Sequence, residues 1–482
     1  MTDKTKGRPT GPPPAPDGEE WRDMDRSGDL YNPSLSEGAL RAAREGIQRY
    51  RMADAALRLV DRAGLPLKGV PVSIEQQSHA FTFGEGLWSL DAMWRDGEWE
   101  TERCRAWRQR FLDVFNGATN LCYWTERPRN DASKTEDRQG EPRLENFAAT
   151  VDWCLANGLT AKGHPLFWSI DKCTPEWVKR YDIDTRMKFA EVRVRNLVAR
   201  FRGRVAVWDA VNEALWEPAP KNLAARNWPH IESTEAMAEY IVPVLRWCRE
   251  EDPDALYLLN DYGVENESRR HTGSDGSEVT AASQRARYVA LAGRLRDMGF
   301  PPDALGLQSH TGWLTNHREQ SDVYDEYAEA GWAVHITEFW AHLKTLREKH
   351  PDVPEKDLHE LLAEYVANYL TVAFGHPAVE AFSFWGFMGM AVEWRERSGH
   401  ELRPVFHRIR RLIHDEWKTT LEAVSDDEGV VHFRGFHGEY ALRVPGPTEA
   451  PEARVGTRFR VTPDASGPVV LRVNCPEAGR SS

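Results

Sequence analysis

Short apolar runs alternate with amphipathic helical stretches from about residue 105 to 413, and no other feature restricts the fold so tightly. Runs with strand character fall at 81–84, 117–123, 160–168, 205–211, 255–260, 304–308, 333–337 and 381–385. Between them, helical periodicity is clearest at 144–156, 185–200, 234–250, 281–298 and 357–374. Alternating strands and helices build a parallel sheet, because a parallel neighbour is reached only through a long return connection. Eight such units over roughly 300 residues fit an α/β fold of the closed (β/α)8 TIM-barrel type. The competing architecture, an open doubly wound sheet, calls for a glycine-rich phosphate loop after the first strand, and no such loop is present.

The barrel is expected to occupy 81–415, with flanking pieces on both sides. Residues 1–33 carry five prolines between positions 9 and 16 and many charges, which predicts a disordered leader. That leader has no apolar run of the secretory kind, and no later segment is long and apolar enough to span a bilayer. As written, the chain is expected to stay in the cytoplasm or to leave by a route its sequence does not show. Residues 34–80 read as a helix followed by a small antiparallel β lead-in, divided by the DRAG and PLKG turns. Residues 416–475 return to β patterning, with DDEG as a hairpin signal, and 476–482 form a tail. The C-terminal strands are expected to pack with the lead-in as a small flanking β subdomain.

Each of two strand-like strings, WDAVNEALW at 208–216 and VHITEFW at 334–340, is read as a strand closed by a single glutamate, Glu213 and Glu338. A carboxylate carried by an apolar strand into a low-dielectric site is costly unless it is used. One such residue is more often a salt-bridge partner; two, with amide and aromatic neighbours, suggest the paired carboxylates of glycoside hydrolysis. Counting strands puts Glu213 after the fourth and Glu338 after the seventh, across the mouth from each other. In a barrel of this kind functional groups come from strand C-termini and the loops after them. That selects Asn120, His164, Asn212, Asn260, Gln308 and His310, with Trp168, Trp313, Trp385 and Trp394 as aromatic walls. Asn212 is placed to meet a sugar 2-hydroxyl and His310 to orient Glu338, whereas Asp209 reads as structural. A carboxyl separation of about 5–5.5 Å would imply net retention through a covalent glycosyl-enzyme.

The formal charge of −13 argues against a nucleic-acid partner. Nineteen tryptophans suit the apolar faces of sugar rings, although most are expected in the core. The six cysteines form no CxxC pair, which favours scattered thiols over a disulfide framework. No HxH or HExxH spacing or GxSxG elbow appears, so neither metal nor Ser/His/Asp chemistry is expected; His335, His342, His350 and His359 read as surface or helix residues.

These motifs resemble glycoside hydrolase family 10, the endo-1,4-β-xylanase family, over about residues 55–445. WDAVNE resembles its acid/base segment, which implies that role for Glu213 beside Asn212. VHITEF resembles its nucleophile segment, which implies Glu338. AKGHPLFW implies His164 and Trp168, and LLNDY, GLQSH and FWGF imply Asn260, Gln308, His310 and Trp385. The lead-in and the tail strands look like the subgroup with plant-type architecture. The chain also departs from the family pattern. Where the second-strand motif carries Glu-Asn and then Lys-Trp, this chain has Thr119, Asn120, Tyr123 and Trp124. Ser169 stands in place of a histidine, and Trp340 in place of an aspartate. The resemblance implies a monomeric retaining endo-acting β-glycosidase without cofactor or metal, acting on β-1,4-xylan or a related polysaccharide and independent of nucleic acid and membrane. The departures keep two alternatives open: a glycosidase or transglycosylase for another β-glycan, and a catalytically weak carbohydrate-binding barrel.

Overall fold

A computed structural model describes residues 33–125, 133–136, 138–216, 233–265, 270–273, 276–311, 316–395, 399–444, 457–463 and 467–473. Eight parallel strands form its centre: Thr82–Gly86, Gly117–Leu121, Thr160–His164, Val207–Asn212, Leu256–Asp261, Ala304–Leu307, Val334–Ala341 and Val379–Phe384. Each pairs with the next, and the eighth returns to the first through Ala381↔Thr82 to Phe384↔Glu85, which closes the barrel. Every strand candidate of the sequence lies on one of these eight. Two of these runs extend well past their strands: 117–123 leaves the ladder after Leu121 and 160–168 after His164, because the residues that follow enter the loops at the mouth.

Between the strands lie helices Glu145–Ala156, Ile183–Arg200, Thr234–Glu251, Ala281–Asp297, His317–Glu329 and Glu355–Gly375. Short polar residues begin several of them by accepting an otherwise unpaired N–H: Asp182 from Thr185, Ser233 from Ala236, Asn316 from Glu319, and Thr280 from Ser283 in a reciprocal capping box. The buried faces of helices and strands merge into one apolar core. The five described cysteines are buried within it or beside it, and none forms a disulfide; Cys475 lies outside the described residues. No described helix is long and apolar enough to cross a membrane.

The flanking β subdomain is a two-sheet sandwich. Strands Val430–Phe436, Met52–Val60 and Val469–Arg472 form one sheet, and Thr420–Val424, Pro71–His79, Gly438–Arg443 and Thr457–Val461 the other. Two expectations change here. The lead-in strands do not pair with each other, and DDEG does not join a hairpin; in both cases the turn carries the chain from one sheet to the other. The reason is burial: Leu57 and Leu59 must face Val72 and Ile74 across a shared core, which they share with Tyr440, Leu442 and Phe459.

His79 stands where the sandwich meets the barrel floor, its ring edge-on to Phe83, Phe374 and Phe436. The Gln76 amide nitrogen lies 3.3 Å from its Nδ1 and the Ile413 carbonyl 3.3 Å from its Nε2, an acceptor and a donor role that suit the neutral ring. Burial lowers its pKa to about 4, and that of His317, which begins the helix before the seventh strand and stacks on Tyr365, also to about 4. Both rings stay neutral in the fold but protonate in the unfolded chain, so their contribution is complete above the ordinary histidine value and is lost as pH falls from there toward 4. Each represents roughly 3 kcal/mol at the acid end. Urea midpoints are expected to fall between pH 6.5 and 4, with a shallower fall in a His79→Asn variant; parallel curves would show that His79 does not contribute.

Candidate active site

Both strands that carry the glutamates contain one extra residue. Asp209 and Val211 oppose consecutive residues Leu258 and Leu259, and Ile336 and Phe339 oppose Phe382 and Phe384. A bulge of this kind re-aims the side chains after it. Beyond the fourth-strand bulge, Glu213 takes a left-handed backbone (φ 57°), a conformation a non-glycine residue adopts only when its surroundings hold it there. Its N–H donates to the Asn260 carbonyl at 2.7 Å. Asp261 supports the same turn by accepting from the Leu215 N–H at 2.9 Å, and Trp216 stacks on Tyr262 with centroids 5.2 Å apart. Glu338, by contrast, does not close its strand: the ladder continues to Ala341, with His310 paired opposite Trp340.

Glu338 is 4% exposed and is gripped on both oxygens. Asn260 Nδ2 donates to Oε1 at 2.7 Å, and His310 Nε2 lies 3.2 Å from Oε2. Asn260 is itself fixed: its amide nitrogen also reaches Asn212 Oδ1 at 2.8 Å, and its oxygen accepts from Thr337 Oγ1 at 2.5 Å. Gly306 makes room for it, since a Cβ there would sit 2.6 Å from Asn260 Oδ1. Burial is the largest influence on the Glu338 carboxyl and pushes its pKa up, but the His310 hydrogen bond and the charges of His164 and His310 together outweigh burial and hold it below the usual glutamate range. On the opposite side Gln308 Nε2 donates to Glu213 Oε1 at 3.1 Å. Asn260 thus touches both candidates, through its carbonyl toward Glu213 and its side chain toward Glu338.

His164 lies beneath this pair, its Nδ1 2.7 Å from Asp209 Oδ2 and 3.8 Å from Glu338 Oε1. Lys162 Nζ contacts the same Asp209 oxygen at 2.9 Å. Asp209 was expected to be structural and apart from Glu213; its carboxylate is fully buried inside the barrel and holds the histidine beside Glu338. Burial raises its pKa, yet Lys162 and His164 leave it lowered overall. Lys162 and His164 alternate on one strand and Asp209 is interior by the same parity, so this triad was readable as three polar residues on the lumen side. Asp209→Asn would leave the Lys162 ammonium without its counter-charge at 11% side-chain exposure. A loss of about 3 kcal/mol or more is expected in urea unfolding. A loss under about 1 kcal/mol would show that the pair is solvated.

An aromatic wall continues from His164. Trp385 stands 5.1 Å and Tyr123 5.6 Å from its ring, Trp88 meets Trp385 edge-on at 5.3 Å, and Trp168 lies 5.9 Å from Tyr123. Leu121 and Ile170 are buried in the same cluster. Trp88 was not anticipated, because the first strand was read as ending before it.

The structure brings Asn212, His164, Gln308, His310, Trp168 and Trp385 to the mouth beside Glu213 and Glu338. It does not bring Asn120. That side chain is 0% exposed and faces outward, its amide nitrogen near the carbonyls of Ala118 (3.2 Å) and Lys162 (3.3 Å) and near Cys154 Sγ (3.7 Å) of helix Glu145–Ala156. Strand alternation explains the miss: Thr119 and Leu121 take the inward positions, and Asn120 lies between them. His335, expected at the surface or in a helix, lies buried on the seventh strand, 3.5 Å from Glu380. Trp313 and the side chain of Trp394 lie outside the described residues. A cavity of about 500 Å³ lies at the other end of the barrel, where Arg51, Phe81, His79 and Glu380 meet the sandwich, away from both glutamates.

A closed parallel barrel with two acidic side chains and aromatic walls at its C-terminal mouth defines a class of carbohydrate-active barrels. Within it, the sequence profile of glycosyl hydrolase family 10 matches residues 128–408, and the chain belongs to that family. It is 25% identical over 414 residues to the anti-sigma-I factor RsgI6 of Acetivibrio thermocellus, covering 84% of this chain and 46% of that protein. It is 25% identical over 318 residues to endo-1,4-beta-xylanase 2 of Arabidopsis thaliana, covering 64% and 26% of the two chains. With endo-1,4-beta-xylanase B of Thermotoga neapolitana it shares 26% identity over 355 residues, 70% of this chain and 89% of the relative. The chain therefore spans less than half the length of the first two of these relatives. Xylanase 10B of Thermotoga petrophila, solved with xylobiose, shares the fold with a TM-score of 0.52 and 19% identity, over 70% of this chain and 95% of that one.

Proposed function

We propose that the protein is a retaining, endo-acting β-glycosidase that cleaves β-1,4-xylan or a closely related backbone by double displacement, with Glu338 as nucleophile and Glu213 as general acid and base. The observation that carries this reading is the grip on the buried Glu338 carboxyl, held on one oxygen by Asn260 and on the other by His310, with its pKa drawn below the usual glutamate range. A nucleophile must be charged when the sugar arrives, and a fully enclosed carboxylate fastened by an amide and an imidazole is both charged and aimed. Glu213 is less enclosed and accepts from the Gln308 amide; as general acid and base it would give up and regain a proton in each cycle.

The first step joins the anomeric carbon to a Glu338 oxygen while Glu213 gives its proton to the departing glycosidic oxygen. In the second, Glu213 takes a proton from water, which displaces Glu338 and restores both groups. Asn212, whose oxygen is engaged by Asn260, has an amide nitrogen to offer the 2-hydroxyl of the sugar at the reaction centre. Trp385 and Trp168 would lie against ring faces.

A backbone other than xylan is favoured by one observation: Thr119 and Tyr123, both buried, stand where the family pattern has a glutamate and a lysine. Each missing polar contact should weaken discrimination by about 1 kcal/mol. Incubation with a fluorinated mechanism-based glycoside, followed by peptide mapping, tests the mechanism: label on the Glu338 peptide supports it, and label elsewhere overturns the assignment. A panel of β-glycans tests the substrate, and turnover of a non-xylan with none on xylan would replace the xylan reading.

A further inference from the structure

The mechanism makes no use of Glu85, a carboxyl 2% exposed at the end of the first barrel strand. It points away from the lumen, and its oxygens accept from the backbone N–H groups of Phe387 at 3.0 Å and Met388 at 3.3 Å. The N–H of Gly86 contributes a third bond. Phe387 and Met388 follow the eighth strand in the turn that carries Trp385 and Gly386. The strands on either side, Gly117–Leu121 and Val379–Phe384, and the short helix Phe387–Ala391 contain no charged residue apart from Glu380 at the far end of the eighth strand. A carboxyl in such a place meets only backbone, and burial pushes its pKa up to about 8. The location is costly for an acid, and two of its three hydrogen bonds, those from Phe387 and Met388, tie the turn after the eighth strand to the first.

We propose that Glu85 is a positioning residue that fastens the Trp385 turn, so that the indole stands against His164 and Trp88 where the sugar bound to Glu338 would meet it. This rests on the glycosidase reading above. Two further contacts support it. Gly86, the next residue, is so close to the indole that a Cβ there would lie 3.2 Å from Trp385 Cε3. The Trp385 N–H is bonded to the Phe339 carbonyl at 3.0 Å, one residue after Glu338. Trp385 is thus held on the Glu338 strand through its backbone N–H, while its indole lies against the strand that carries Glu85.

The test uses the full chain. Amide hydrogen exchange over 385–391 reads the fastening without any substrate: in Glu85→Leu it is expected to quicken about tenfold or more, whereas Glu85→Gln, which keeps one acceptor oxygen, stays within about threefold of wild type. Unchanged exchange in the leucine variant overturns the proposal. The consequence is read as kcat/KM on whichever β-glycan the wild type cleaves. Glu85→Leu should lower it about tenfold in the wild-type background but less than about twofold in a Trp385→Ala background. Equal losses in both would show that Glu85 does not act through Trp385 and would overturn that part. If the leucine variant does not fold, Glu85→Asp, with its carboxyl drawn back by one methylene, replaces it in both measurements. A wild type that cleaves nothing fails the glycosidase reading alone; the same pair of backgrounds is then compared by oligosaccharide binding through tryptophan quenching.

Discussion

Glu338→Gln is expected to lower kcat on the preferred β-glycan by about 10⁴-fold or more, with circular dichroism unchanged. The amide keeps the shape of the carboxyl but cannot form the glycosyl ester, and both groups that grip it offer donors suited to an anion: Asn260 Nδ2 at 2.7 Å and His310 Nε2 at 3.2 Å. A Glu338→Ala variant supplied with azide should regain turnover and release a glycosyl azide of inverted configuration, since the anion would occupy the vacated face. Near-normal activity in the glutamine variant would remove Glu338 from the mechanism. The pH profile gives a second reading. A carboxyl held below its ordinary value stays charged to lower pH, so the acid limb of kcat/KM should lie below the usual glutamate range, with activity falling only as pH drops through that depressed value.

Glu213→Ala should show the complementary defect. On a polysaccharide, whose leaving oxygen needs a proton, turnover is expected to fall by about 10³-fold or more. On an aryl glycoside with an acidic leaving group the first step needs no proton, so a burst of aryl alcohol should remain, followed by slow release of the trapped sugar. Azide should then accelerate that release and yield a glycosyl azide of retained configuration, the stereochemical opposite of the Glu338 variant. Equal losses on both substrate types, without rescue, would mean that Glu213 supports the fold of its turn rather than protonating the leaving group. Its left-handed backbone makes that alternative testable in the same variant by thermal unfolding.

Much of the architecture was legible because burial leaves a periodic mark. All eight barrel strands overlap runs such as 205–211 and 381–385, and the capped helix starts at Ser233 and Thr280 lie within one or two positions of the periodic segments they begin. Glu213, Glu338, His164, Gln308 and His310 could be picked out as polar residues in or just after the barrel strands, although the seventh strand runs past Glu338 to Ala341. Asn120 could not be excluded in the same way, since adjacent residues on a strand face opposite sides and one position of error exchanges the mouth for the helix layer. The same period of two marks Asp209 and His164 as interior residues, but it does not say that they meet. In the sandwich, local turn signals at DRAG and DDEG marked where the chain reverses but carried no information on which strands would then pair.

Local composition and periodicity were thus enough to set the order of strands and helices, the barrel, and the stations of two acidic residues along it. What they could not set was direction. Whether Glu213 and Glu338 face the lumen depends on a one-residue bulge in each strand, and the lowered pKa of Glu338 depends on His310 and His164, brought in from other parts of the barrel. Such features arise from contacts between segments far apart in the chain, where packing and electrostatics in a shared low-dielectric space outweigh the preferences of any one segment.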